Sequence, residues 1–186
     1  MCKMMLEGTR KLTAEQQRKV FALVPESVLE LIESSPKLGW VPHEDSLKVL
    51  DALHRVLGDP HFRRFLSILA EELMAYPLLQ SFFDGAIRLF GLNTHALLKW
   101  SPYAWEQVFR DSGVLVYRPL RESAAAGKAE VTLEKCPPAL LRSGSLVEVV
   151  AGALEMLPRR AAKKGRVEIL LLDTEHGRVR YEISWE

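Results

Sequence analysis

Only two cysteines, Cys2 and Cys136, occur in 186 residues. A disulfide scaffold needs more, so both are read as free, reduced thiols and the expected compartment is the cytoplasm. An excess of charge is missing too: 25 Lys and Arg face 24 Asp and Glu, a net charge of +1. That removes the broad basic field on which non-specific nucleic-acid binding depends. No stretch reaches the roughly 18 uninterrupted apolar residues of a membrane span. The most apolar one, Leu73 to Phe90, is broken by Pro77, Asp84, Gly85 and Arg88. Glu7 and Arg10 cut short any export-type apolar run behind Lys3. There is no H-E-x-x-H, no C-x-x-C and no Cys/His cluster at zinc spacing, so no metal site is expected. Gly-rich phosphate loops and the G-x-S-x-G elbow are absent as well. Ser143-Gly144-Ser145 looks reactive, but Ser145 is expected to cap a helix. Cys136 precedes two prolines with no base nearby in sequence. With no catalytic constellation, the expectation is a protein that is not an enzyme.

What is present reads as globular. Hydrophobic residues make up 48% and charged residues 26%. The length suits one domain, 1–186, with a helical lobe over about 13–110 and an α/β lobe over about 113–186. Thr13 and Gln16 form a T-x-x-Q capping box. Pro25 restarts a helix through Val28, Leu29 and Ile32, and residues 34–42 form a loop. Leu47, Leu50, Leu53, His54 and Leu57 share a helix face that Gly58 closes. Asp59 is then expected as an N-cap with Pro60 at the first helical position. Pro77 breaks that helix. Leu78 to Phe90 is apolar on most sides, which marks a buried helix. Asn93 is expected to cap a short helix through Trp100, and Ser101-Pro102 to begin another ending near Arg110.

Past Gly113 the period changes from helix to strand. Val114 to Tyr117 read as a short strand ahead of Pro119. Ala129, Val131 and Leu133 alternate with Lys128, Glu130, Thr132 and Glu134. Ser145 and Glu148 suggest a second capping box. Val167, Ile169 and Leu171 alternate again, and Val179, Tyr181, Ile183 and Trp185 share a face of the last strand. The turn at 173–177 makes those two strands an antiparallel hairpin. The fold class is therefore α+β: a helical lobe packed on a small antiparallel sheet of order strand-strand-helix-strand-strand. Residues 121–127 are the expected flexible connection.

Among the histidines, His54 and His61 are separated by Gly58-Asp59-Pro60 and do not form a helical ligand pair. His54 reads as a packed or partly exposed side chain, and His176 as a solvent-facing turn residue. The basic run Arg159 to Arg166 falls at a helix C-terminus, where cations complement the macrodipole. Trp100, Tyr103 and Trp105 crowd the helix-to-sheet junction, where aromatics fill a seam or line a pocket.

The element order and the closing G-x-x-x-Y-x-x-x-W pattern, Gly177, Tyr181 and Trp185, resemble one superfamily. It groups heme–nitric-oxide-binding domains, 4-vinyl-reductase domains and TRAPP vesicle-tethering subunits. Within it the chain most resembles a largely myxobacterial paralogous family with no established activity. Phe90-Gly91 matches that family's hinge and Ser101-Pro102-Tyr103 its junction. The heme branch requires a proximal histidine, for which His95 alone is placed, and a Tyr-x-Ser-x-Arg triad. Here Tyr117 and Arg121 fall in register, but Pro119 replaces the serine and supplies neither hydroxyl nor N–H. The resemblance therefore comes with an expectation of no cofactor, heme included. It implies a non-catalytic sensor or adaptor that binds a small apolar ligand between its lobes and relays to a protein partner. The alternatives are a dimeric interaction module without a ligand and, third, a heme-based gas sensor. The pocket candidates are His95, Trp100, Tyr103, Trp105, Tyr117 and Arg121.

Overall fold

Prolines and glycines set most of the breaks between elements in the computed structural model. It describes residues 2–36, 39–90, 93–121 and 126–186. The side chains of Leu78, Leu79, Phe82, Phe83, Ala86, Leu89, Phe90 and Arg121 lie outside the description. So do Gly91 of the expected hinge and most of the expected 121–127 connection.

Seven helices come first: α1 (Cys2–Thr9), α2 (Ala14–Leu23), α3 (Glu26–Ser34), α4 (His43–Leu57), α5 (Asp59–Met74), α6 (Pro77–Phe90) and α7 (Thr94–Val108). Then follow β1 (Val114–Arg121), β2 (Gly127–Glu134), α8 (Pro138–Leu141), α9 (Ser145–Arg160), β3 (Gly165–Asp173) and β4 (Arg178–Trp185). This is the expected α+β class. The capping box at Thr13 and Gln16 forms, with both reciprocal bonds. Gly58 closes α4 at φ 71°, the left-handed region glycine tolerates.

Five local expectations need correction. The first is α1, which sequence reading left unassigned and whose Met4, Met5 and Leu6 are buried. Second, α5 is capped by Gly58, not Asp59; the Asp59 carboxylate turns to His54 Nε2 at 2.6 Å instead. Third, the two short helices expected around Ser101 are one, α7, with Pro102 inside. A proline there leaves the carbonyl four residues back without its donor. That carbonyl belongs to Leu98, and the Ser101 hydroxyl donates to it at 2.8 Å, so the helix runs on. Fourth, α9 begins on Gly144 with no side-chain cap; Ser145 is its first residue, and its hydroxyl meets His54 Nδ1 at 3.2 Å. Fifth, β3 carries a register shift between Ile169 and Leu171. The alternation therefore breaks: Ile169 pairs with Tyr181, but Leu171 pairs with Arg180 on the other face.

The sheet is antiparallel in the order β1-β2-β4-β3. β1 extends through Pro119, which an edge strand accepts because its outer side needs no donor. Val179, Tyr181, Ile183 and Trp185 all face the core, at 6% exposure or less. The opposite face is charged, with Lys128–Glu182 at 2.7 Å among its ion pairs. α9 packs on β3 and β4, α7 on β1, and α5 on α9.

One buried ion cluster joins α5 to α9. Arg63 donates to both Glu148 oxygens, at 2.7 and 3.0 Å, to Glu155 at 3.4 Å and to the Val167 carbonyl at 3.3 Å. The bidentate Glu148 carboxylate holds the guanidinium above its ordinary pKa. Arg159, in the basic run at the α9 C-terminus, meets the buried Ser67 hydroxyl. Among the described residues, no helix is long and apolar enough to cross a membrane.

Candidate functional site

Where the helices meet α9 and β1, the core leaves a cavity of about 100 Å³. α1 contributes Met4 and Met5; α5 contributes Leu66, Leu69, Leu73 and Met74. α7 adds Ala104, Trp105 and Val108, β1 adds Leu115, and α9 adds Val149, Val150, Ala153, Leu154, Met156 and Leu157. Ala70, Ala104 and Ala153 are short side chains in this wall, and Met156, Leu154 and Val150, also in it, are almost fully buried. The polar atoms nearby are already committed: Ser101 bonds Leu98, and the Trp105 indole N–H donates to the Gly113 carbonyl at 3.1 Å. A wall of this kind attracts an uncharged apolar guest and offers nothing to an ion.

The sequence candidates separate into two groups. Trp105 lines the cavity, 5% exposed and stacked on Phe109 with centroids 3.9 Å apart. His95 and Tyr117 meet elsewhere, at the junction of α7 and β1. His95 Nδ1 and the Tyr117 hydroxyl are 2.7 Å apart, and Trp185 meets the imidazole edge-on at 4.7 Å. Trp100 and Tyr103 form an edge-on pair at 5.7 Å, with Tyr103 exposed. The Arg121 side chain lies outside the described residues. Cavity walls that sequence reading missed, above all Met4 and Met5, sit on α1. Their signal was the amphipathic pattern of a helix too short to stand out from the leader of a chain.

The G-x-x-x-Y-x-x-x-W residues each have a structural task. Gly177 has φ 62°, and a Cβ there would lie 2.0 Å from the Cys136 carbonyl oxygen. Its own carbonyl accepts from Cys136 N–H at 2.9 Å, tying the hairpin turn to the end of β2. Tyr181 is fully buried and donates its hydroxyl to the Val147 carbonyl of α9 at 3.2 Å. Burial pushes its pKa well up. Trp185 lies across Gly127, where a Cβ would come within 2.2 Å of the indole.

The fold and the cavity place the chain with α+β domains that hold a helical lobe against a four-stranded antiparallel sheet. No family model matches the chain, and no curated protein does. Solved structures do. The chain is similar to the Fe(II) unliganded H-NOX protein from K. algicida, with TM-score 0.61 and 11% identity over 100% of this chain and 97% of that one. An oxygen-binding H-NOX domain related to soluble guanylate cyclases, in its oxygen complex, gives TM-score 0.55 and 10% identity over 98% and 90%. A third, from work on heme distortion in the H-NOX family, gives 0.60 and 10% over 98% and 90%. At such identities the likeness establishes a shared fold, which is the fold expected from the heme–nitric-oxide-binding side of the resemblance.

This finding corrects one expectation. Pro119 was the ground for expecting no cofactor, yet the fold is shared with proteins described by their heme, so that exclusion falls. Pockets for drug-sized ligands run to roughly 300–1,000 Å³, a porphyrin needs no less, and the cavity holds about 100 Å³. Its described walls carry methionine thioethers but no histidine. Pro119 is exposed on β1, and the Tyr117 hydroxyl is engaged with His95. The described residues do not fit a heme in this cavity.

Proposed function

We propose that the chain is a sensor domain whose apolar cavity takes a compact, uncharged molecule and relays its presence to a protein partner or a second copy. The observation that carries this reading is the cavity itself, about 100 Å³ with an apolar wall shared by α1, α5, α7, α9 and β1. Apolar cavities of about 150 Å³ stay dry and take up xenon or benzene, so the guest here is of diatomic-gas to xenon size. The shared fold supports the choice, since one neighbour is described as oxygen-binding. A guest that presses on α5 and α9 at once favours whichever spacing of those helices accommodates it, and a partner reads that spacing. The two lobes act as one domain in this reading, and the wall offers no group for catalysis.

Xenon-129 NMR and thermal unfolding under xenon test it. At 100 times its Kd, a guest stabilises the fold by about 2.7 kcal/mol. For a chain of this size that raises Tm by roughly 5–11 °C. Ala153→Leu, which fills the cavity, abolishes both the shift and the NMR signal of bound xenon. A wild-type protein that behaves like Ala153→Leu refutes the proposal. Hemin titration is the second arm: a Soret band that His95→Ala removes transfers the sensing role to a heme, as the fold comparison supports.

A further inference from the structure

A second pocket, of about 340 Å³, opens at the start of α9 and shares no wall residue with the cavity. Asp51, His54, Arg55, Asp59, Ser143 and Ser145 line it. His54 Nε2 lies 2.6 Å from Asp59 Oδ1, and His54 Nδ1 lies 3.2 Å from Ser145 Oγ. A carboxylate only accepts hydrogen bonds, so the imidazole proton sits on Nε2 and Nδ1 is left to accept from the Ser145 hydroxyl. Phe62, stacked on the ring at 4.7 Å, holds its plane. Ser145 follows Gly144 in the left-handed region, φ 74°, and is the first residue of a 16-residue helix. The Leu146 and Val147 N–H groups in that first turn have no backbone acceptor among the described residues. Asp51 Oδ1 is buried without a partner among the described residues, an acceptor open to a donor on a bound molecule.

We propose that Ser145, His54 and Asp59 form a nucleophile, base and orienting set that cleaves small acyl esters, an activity beyond the sensor reading and independent of it. Ser145 Oγ bonds to the acyl carbonyl carbon while its proton passes to His54 Nδ1. The negative carbonyl oxygen is met by the N–H groups of the first turn of α9. The bond to the leaving alcohol breaks, and that oxygen takes the proton from His54. Water, deprotonated by His54, then attacks the acyl-Ser145 ester and releases the acid, restoring the hydroxyl. Asp59 is a positioning residue. Ser145 is 1% exposed, so its hydroxyl is reached only through the pocket and the acyl group must be short.

The test uses a fluorophosphonate probe and p-nitrophenyl acetate on the full chain. Mass spectrometry should find the probe on Ser145, and His54→Gln should abolish that labelling. Ester hydrolysis should be lost in Ser145→Ala, which lacks the nucleophile, and should fall at least about 10²-fold in His54→Gln, the lower end of what a positioned acid–base group supplies. Asp59→Asn, at a side chain 77% exposed, should lower kcat with KM unchanged. An unlabelled Ser145 in the folded wild type, or equal hydrolysis by wild type and Ser145→Ala, overturns the proposal. Retention of the xenon-dependent Tm shift in Ser145→Ala separates this result from the sensor reading.

Discussion

Replacing Arg63 with methionine should destabilise the fold more than breaking any other described ion pair. The Arg63 side chain is 23% exposed and that of its main partner Glu148 only 11%. Methionine keeps the aliphatic stem but strands the Glu148 carboxylate against α5 and leaves the Val167 carbonyl without this donor. Breaking one half of a buried pair costs about 3–5 kcal/mol, far above the ~0.3–0.5 kcal/mol of an exposed helical pair. Lys19–Glu15, with side chains 61% and 68% exposed, provides the internal comparison. Urea unfolding of Arg63→Met, Glu148→Leu and the double variant closes a mutant cycle. The double variant should recover most of the loss, because the Glu148 carboxylate is then gone and Glu155, 25% exposed, keeps contact with water. A single variant within about 1 kcal/mol of wild type, or losses that simply add, would refute the argument that desolvation governs this cluster.

Gly177→Ala combines a left-handed backbone with a Cβ 2.0 Å from a main-chain oxygen and should cost more than about 2 kcal/mol, read as a lower urea midpoint. Gly144→Ala, at φ 74° with open space around it, should cost only the conformational part, about 1–2 kcal/mol. Ser101→Ala removes the hydroxyl that serves the Leu98 carbonyl and should cost about 1 kcal/mol in the same assay. Alkali should weaken the fold in two stages. Burial pushes the Cys136 thiol from 9.0 up to about 11, so the folded chain keeps a proton that the unfolded chain releases. The associated stability is whole below pH 9 and is lost as pH rises to about 11. Tyr181, raised well above 10.0, extends the loss to higher pH. Cys136→Ala should flatten the first stage of a stability-against-pH curve, and Tyr181→Phe the second.

Much of the fold was legible because its signals are local. The Thr13 box, Gly58 at the end of α4, Asn93 bonding Ala96 N–H, and the alternation along β2 and β4 each depend on residues within a turn or a strand. The corrections share another cause: a partner from afar. Ser145 and Asp59 have the composition of caps, but both turn to His54 on α4. Pro102 signals a break that a neighbouring hydroxyl repairs. The β3 bulge answers the register of β4, which Ile169 to Leu171 do not reveal by themselves. The cavity was the least legible feature. It arises from several elements leaving space together, and of the five pocket candidates with described side chains only Trp105 stands in its wall.

Four of the cavity's described wall residues are methionines: Met4, Met5, Met74 and Met156. Unbranched thioethers turn about several bonds, so the void adapts its outline to different visitors rather than fitting one shape. The same sulfur atoms, 8% exposed or less, meet an oxidant only when the wall opens. Each sulfoxide would set a strong dipole into an otherwise oily chamber. Peroxide should therefore silence the chamber faster in low urea, which loosens the wall, than in buffer alone.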